Sequence, residues 1–237
     1  FRSSASHAWT TGTGMLWAVS QASPLRRVHV DASLVLYQYV PPYYEAGFAS
    51  GGFLADAVVE GGVIAGSQQQ WLSRNVHMTG GEVAASLAVW NSVYVGCTGA
   101  VPAAHCGERN KTHSTVVVAE TPSIAEKPYV TVTGAGDDER FAITVPALRA
   151  ASAGASWRAT SEAPAAAAAA PPANRSIDFA HVYVARAGSD SAASINAKLG
   201  AAHIQAVLLT PGIYRLEAPL TLTRPGTVLL GIGLPTL

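Results

Sequence analysis

The string Ser67-Gln68-Gln69-Gln70 is the most unusual chemistry-bearing sequence in this 237-residue chain. In an extended segment, alternation turns Gln68 and Gln70 to one face and Gln69 to the other. A glutamine amide both donates and accepts, so such a pair can bridge sugar hydroxyls or orient a water. The same side chains also make a polar ladder when coils stack. Arg74 follows closely enough to meet the same ligand or to form a structural ion pair. Asp56 and Glu60 bracket one β-type triplet, and Glu45 sits beside Tyr43-Tyr44 in an aromatic loop with Tyr37 and Tyr39. Inverting sugar hydrolysis needs two carboxyl groups roughly 6.5–9.5 Å apart, although surface or turn carboxylates have the same composition. The candidate substrate-contacting residues are therefore Gln68, Gln69, Gln70, Arg74, Asp56, Tyr43 and Tyr44.

Other reactive groups are sparse. Cys97 and Cys106 lie in a Gly/Ala/Pro loop, and a disulfide closing it is expected if the chain is secreted. Asn110-Lys111-Thr112 and Asn174-Arg175-Ser176 are N-glycosylation sequons in loop-like sequence. His29 and His77 fall at equivalent places just inside two β triplets, with no third ligand repeating beside them, so no metal site is expected. No phosphate-binding glycine loop, nucleophile elbow or zinc signature is present, and no cofactor is expected.

Composition narrows the partners. Hydrophobic residues make up 49% and charged residues 13%, which suits a folded, strand-rich chain. Fifteen Lys and Arg balance fifteen Asp and Glu. Nucleic acid is therefore an unexpected partner, and a polyanionic polysaccharide is disfavoured because it would select a positive cleft. No apolar run is long enough to span a membrane as a helix. The chain opens at Phe1 without Met and closes within a strand-like pattern, as a cut from a longer protein would.

These residues must be held by short strands. Phe53, Trp71 and Trp90 each open a unit of aromatic, turn, β triplet and glycine, at spacings of 18 and 19 residues, and Trp17 lies 36 residues before Phe53. A fixed period near twenty residues with strands this short points to a solenoid of stacked coils. Trp17, Phe53, Trp71 and Trp90 would then form one stack, either in the core or as a sugar platform. The expected fold class is all-β, a right-handed parallel β-helix in tandem. Residues 1–100 are the C-terminal coils of a first β-helix. Residues 101–180 are an irregular connection with an Ala/Pro-rich linker. Residues 181–237 are the N-terminal cap and first coil of a second β-helix. There, Ser189–Gly200 reads as a short capping helix, followed by strands at Ala206–Thr210, Pro219–Thr223 and Thr227–Leu230.

The run Ala193-Ser194-Ile195-Asn196-Ala197-Lys198-Leu199, then Val207-Leu208-Leu209-Thr210-Pro211-Gly212-Ile213-Tyr214, then Thr227-Val228-Leu229-Leu230-Gly231, resembles the opening of pectin-lyase-like β-helices. Trp17-Ala18-Val19-Ser20-Gln21-Ala22, Ser50-Gly51-Gly52-Phe53 and Gly66-Ser67-Gln68-Gln69-Gln70 extend the likeness to secreted bacterial proteins with two such segments, which bear coagulation-factor-5/8-type or adenylyl cyclase names. The tandem architecture is similar to that of family 55 glycoside hydrolases, which cleave β-1,3-glucan. That resemblance implies a cleft between two β-helices and a Glu general acid on the second, beyond the first coil, so no catalytic residue carries over to this chain.

The expected function is that of a fragment of an extracellular carbohydrate-active protein, glycoside-hydrolase-like on β-glucan at full length and inactive alone. The alternatives are a non-catalytic polysaccharide-binding or cell-wall glycoprotein and, behind it, a polysaccharide lyase. The expected partner is a β-glucan-like polysaccharide, and open rungs at the cut ends are expected to promote association.

Overall fold

The computed structural model describes residues 14–17, 23–37, 39–40, 45–46, 51–64, 69–80, 91–106, 114–157 and 173–237. The chain forms two units, one of residues 1–124 with 149–170, the other of residues 125–148 with 171–237.

The first unit is a parallel β-solenoid. Its main sheet runs, in spatial order, Ser114–Val118, Asn91–Val95, Gln70–Met78, Gly52–Val59 and Pro24–Arg26. One register crosses all five strands: Leu25, Leu54, Ser73, Tyr94 and Val117 lie side by side. Parallel pairing without intervening helices is possible because each coil returns the chain to the same edge one rung higher, about 4.8 Å away. A second parallel sheet, Gly14–Leu16, Ser33–Val35 and Val63–Ile64, closes another side of the coils. Between them Leu34, Leu36, Leu54, Val59, Val76 and Met78 are buried as one core.

Each long strand bends once, at a residue in the left-handed region. Arg27, Asp56 and Asn75 have φ of 50°, 51° and 52°, and Gly96 has 59°. The flanking registers, Arg26↔Ala55↔Arg74↔Val95 before the bend and His29↔Val58↔His77↔Thr98 after it, place these four residues in one row. Asp, Asn and Gly tolerate this conformation better than other residues.

The expected single aromatic stack does not form. Trp71 pairs in register with Gly52, and Phe53 with Leu72. Trp71 is therefore buried in the core, whereas Phe53 stands on the opposite, outer face. Trp17 belongs beside the other sheet, its backbone N–H donating to the Val35 carbonyl. Trp90 lies outside the described residues.

The solenoid ladder also continues past residue 100, because Ser114–Val118 stacks in parallel on Asn91–Val95. The remainder of the stretch expected to be irregular contains ordered antiparallel pairs. Thr121–Ile124 pairs with Arg149–Ser152 in the first unit. Tyr129–Thr133, Arg140–Val145 and Arg175–Asp178 form a three-stranded sheet in the second. Their alternating β-branched residues, Val130-Thr131-Val132 and Ile143-Thr144-Val145, carry the strand preference.

In the second unit, helix Ala192–Gly200 starts at Ser191, which makes a reciprocal capping box with Ser194. Its Ile195 and Leu199 pack on Ala185, Val207, Leu209 and Tyr214. A parallel sheet of Val182–Ala185, Ala206–Leu209 and Val228–Gly231 follows. Pro219–Thr223 is not a strand. Asn196 holds it against the helix instead, donating to the Pro219 carbonyl (2.9 Å) and accepting from Thr221 N–H (2.8 Å). Arg224 completes the cap by donating to the Leu199 carbonyl, a last-turn group without an internal helix partner, and to the carbonyls of Ala202 and Ile204 in the segment that follows.

Candidate functional site

The main sheet of the first unit shows three rows of side chains on its outer face. Alternation along Gln70–Met78 exposes Gln70 and Leu72 while burying Trp71 and Ser73. Register then builds a polar row of Gln70, Asn91 and Ser114. Beside it runs an apolar row of Pro24, Phe53, Leu72, Val93 and Val116. A third row carries Arg26, Ala55, Arg74, Val95 and Val118. The Phe53 ring lies between two guanidinium groups, with Arg26 Cζ 4.5 Å and Arg74 Cζ 5.1 Å from its centroid. Cations over an aromatic face are attracted to its quadrupole, so these arginines fix Phe53 as the rigid centre of the face.

This geometry sorts the candidate residues. Gln70 and Arg74 share the outer face, and Gln69 is half-buried beside them, its carbonyl accepting from Asn91 N–H at 3.0 Å. Gln68, Tyr43 and Tyr44 lie outside the described residues, as does Asn110. Phe53 was missed as a partner of Arg74 because aligning the aromatics by spacing placed it in a stack with Trp71.

Asp56 is not on the surface and is not a substrate contact. It is fully buried, and its carboxylate accepts from Ser156 N–H (2.5 Å) and Ser156 Oγ (2.8 Å). Its own carbonyl accepts from the Trp157 indole N–H at 2.7 Å. Asn75, one rung on, accepts from Thr121 Oγ (2.7 Å) and donates to Ser152 Oγ (3.3 Å), and Gly154 N–H donates to the Gly96 carbonyl. The segment 149–157 is thus a strap laced along the row of left-handed bends. Nothing in the local sequence around Asp56 announces a partner one hundred positions away.

The two histidines occupy the equivalent positions expected of them, flanking Val58 in register. His77 is buried and bonds Thr98 Oγ at 3.0 Å. His29 Nε2 lies 3.0 Å from Glu60 Oε1 and 3.4 Å from Asp31 Oδ1. Among the described residues no group of His, Cys, Asp and Glu is placed to hold a metal ion.

Cys97 and Cys106 are both free thiols. Cys97 is turned toward the core, its Sγ donating to the Val95 carbonyl, whereas Cys106 is exposed. Burial pushes the Cys97 thiol up to about 11. Asn174 is exposed, and its Oδ1 accepts from Ala147 N–H at 3.1 Å.

In the second unit two carboxylates serve the helix. Glu217 accepts from the first-turn N–H groups of Ala192 and Ala193 at 3.3 Å. Its own backbone N–H, then these donors, hold it below the usual Glu range. Burial raises Asp190, but bonds from Arg186 N–H, Tyr183 OH and Ser194 OH, with the Lys198 charge, outweigh this and leave it lowered. The Tyr183 hydroxyl is raised in turn, chiefly by that bond to Asp190.

Comparison with known proteins places this architecture. Residues 182–237 match the LAM55 pectate lyase-like domain. An exo-β-1,3-glucanase from Streptomyces sp. (strain SirexAA-E / ActE) is 36% identical over 234 residues, covering 93% of this chain and 31% of that protein. The structure of sacteLam55A from Streptomyces sp. SirexAA-E superposes with a TM-score of 0.71 at 32% identity, over 94% of this chain and 35% of that one. A variant of sacteLam55A in complex with glucose gives 0.69 at 33% identity over the same shares. The chain spans about a third of the length of these relatives. It is a β-solenoid homologous to the Streptomyces exo-β-1,3-glucanase along nearly all of its own residues, with a LAM55 pectate lyase-like segment at 182–237.

Proposed function

We propose that this chain is part of an extracellular β-glucan-active glycoside hydrolase, and that the outer face of its main sheet contacts the glucan. The observation that carries the reading is the polar Gln70–Asn91–Ser114 row running beside the apolar row centred on Phe53. A pyranose ring offers an apolar face to such a surface and hydroxyls to the amides next to it. Homology to an exo-β-1,3-glucanase supports β-1,3-glucan as the polymer. The two sequons support an extracellular setting, and Asn174 is surface-exposed.

On this reading the chain binds glucan without hydrolysing it. Asp56 is sealed under the strap, and Glu60 is tied to His29 and Thr79. The test is a glycan-array screen of the chain with a Gln68→Ala/Gln70→Ala variant. Selective β-1,3-glucan binding, weakened at least fivefold in the variant, is expected. Binding indifferent to these glutamines would reduce the polar row to a structural ladder.

A further inference from the structure

Beyond the left-handed bend, away from the Gln70 row, the strap presents a second arrangement of the same chemical kind. Trp157 remains 42% exposed although its indole N–H is bonded to the Asp56 carbonyl and the preceding Ser156 is fastened twice to the Asp56 carboxylate. A large aromatic residue is thus held rigid with a substantial part of its surface in solvent, and that part gains nothing from burial. His29 lies beside it with ring centroids 6.2 Å apart and planes tilted by 48°, so imidazole does not cover the indole by stacking. Glu60 and Asp31 reach the same imidazole nitrogen, and Thr79 Oγ fixes the other Glu60 oxygen at 2.8 Å. The side chains of His29, Asp31 and Glu60 are each a third or more exposed.

We propose that Trp157, His29, Glu60, Asp31 and Thr79 form a second saccharide-binding site on the first unit, for a neutral sugar of an oligosaccharide. Two carboxylates repel phosphate and uronate ligands. A pyranose matches the set, since its C–H face packs on indole. Its hydroxyls donate to carboxylate oxygens, each of which accepts more than one hydrogen bond. This site does not rest on the sheet-face reading. The strap fixes Trp157 relative to three successive coils, so the site is preorganised and loses little entropy on binding.

The test follows the Trp157 indole N–H resonance of the 237-residue chain during titration with laminaritetraose, with Trp157→Phe used only to assign the peak. A shift with saturation is expected in the wild type and equally in Gln70→Ala, with the midpoint raised tenfold or more in Glu60→Gln. A peak unmoved up to about 10 mM sugar overturns the proposal. So does a wild-type midpoint in a Glu60→Gln chain whose spectrum is otherwise unchanged. Loss of the shift in Gln70→Ala would transfer the effect to the sheet face and overturn it as well, whereas failure of the sheet face alone leaves the Trp157 shift intact.

Discussion

Gly52 lies directly under the indole of Trp71, so that a Cβ at Gly52 would stand 2.1 Å from Trp71 Cζ3. The two residues share one rung-to-rung register on the inner face. Gly52→Ala therefore overpacks a well-filled core, and we expect it to destabilise the first unit by about 3 kcal/mol or more. Denaturant titration followed by Trp fluorescence checks this. Replacement of the exposed Leu72 by Thr should change the unfolding free energy by less than about 0.5 kcal/mol.

Asp56→Ala removes both acceptors of Ser156 and puts alanine at a φ of 51°. Stranded buried donors cost about 1–3 kcal/mol, and alanine lacks the local hydrogen bonding that lets Asp tolerate the left-handed region. A total loss of about 1–4 kcal/mol is expected, together with a change in Trp157 emission as the strap loosens. Asp56→Asn keeps one acceptor and the tolerance for this backbone, and should lose about 1 kcal/mol. Equal losses in the two variants would show that the carboxylate is not what holds the strap.

At pH 8 the two thiols should react at different rates. Cys97, raised to about 11, has almost no thiolate at that pH and is turned inward. Cys106 is exposed. An aromatic disulfide reagent should titrate one thiol promptly and the second only after denaturant is added. No reactive thiol in either condition would indicate a disulfide.

Acid should loosen the helix of the second unit first. Glu217 and Asp190 are both held below their ordinary values in the folded state. Their contribution is therefore complete above the ordinary carboxylate range and is lost as pH falls through the lowered folded values. The protection of the Ala192 and Ala193 amides, measured against the intrinsic exchange rate at each pH, should fall over that interval, and Glu217→Gln should lower it at pH 6 already. Identical exchange at pH 6 in wild type and variant would sink the cap.

The period of the first unit was legible because coil stacking repeats chemistry at a near-constant spacing, and the capping helix because Ser191 and Gly200 punctuate it. Register was not. Spacing aligned Phe53 with Trp71, but the fold places Gly52 there, and a slip of one residue exchanges the two faces of a strand. The outer arginine-flanked Phe53 was hidden by that slip. The partners of Asp56 were hidden for a different reason: hydrogen bonds between residues 56 and 156 leave no periodic or local trace. The strands within 101–180 were obscured by the Ala/Pro-rich run Ala163–Ala173, which set the reading of the whole stretch.

The strap has a consequence for biosynthesis. The chain leaves the first unit after Ile124 and returns to it only at Arg149, so every parallel rung is made before the residues that fasten the bends. At translation rates of about 5–20 residues per second, Asp56 waits on the order of 5–20 s for Ser156, one hundred positions later. During that interval the nascent coils can wind, but the carboxylate that ends up fully buried faces water. The final locking of the first unit therefore also waits for the ribosome to pass through Ala125–Leu148, a segment belonging to the second.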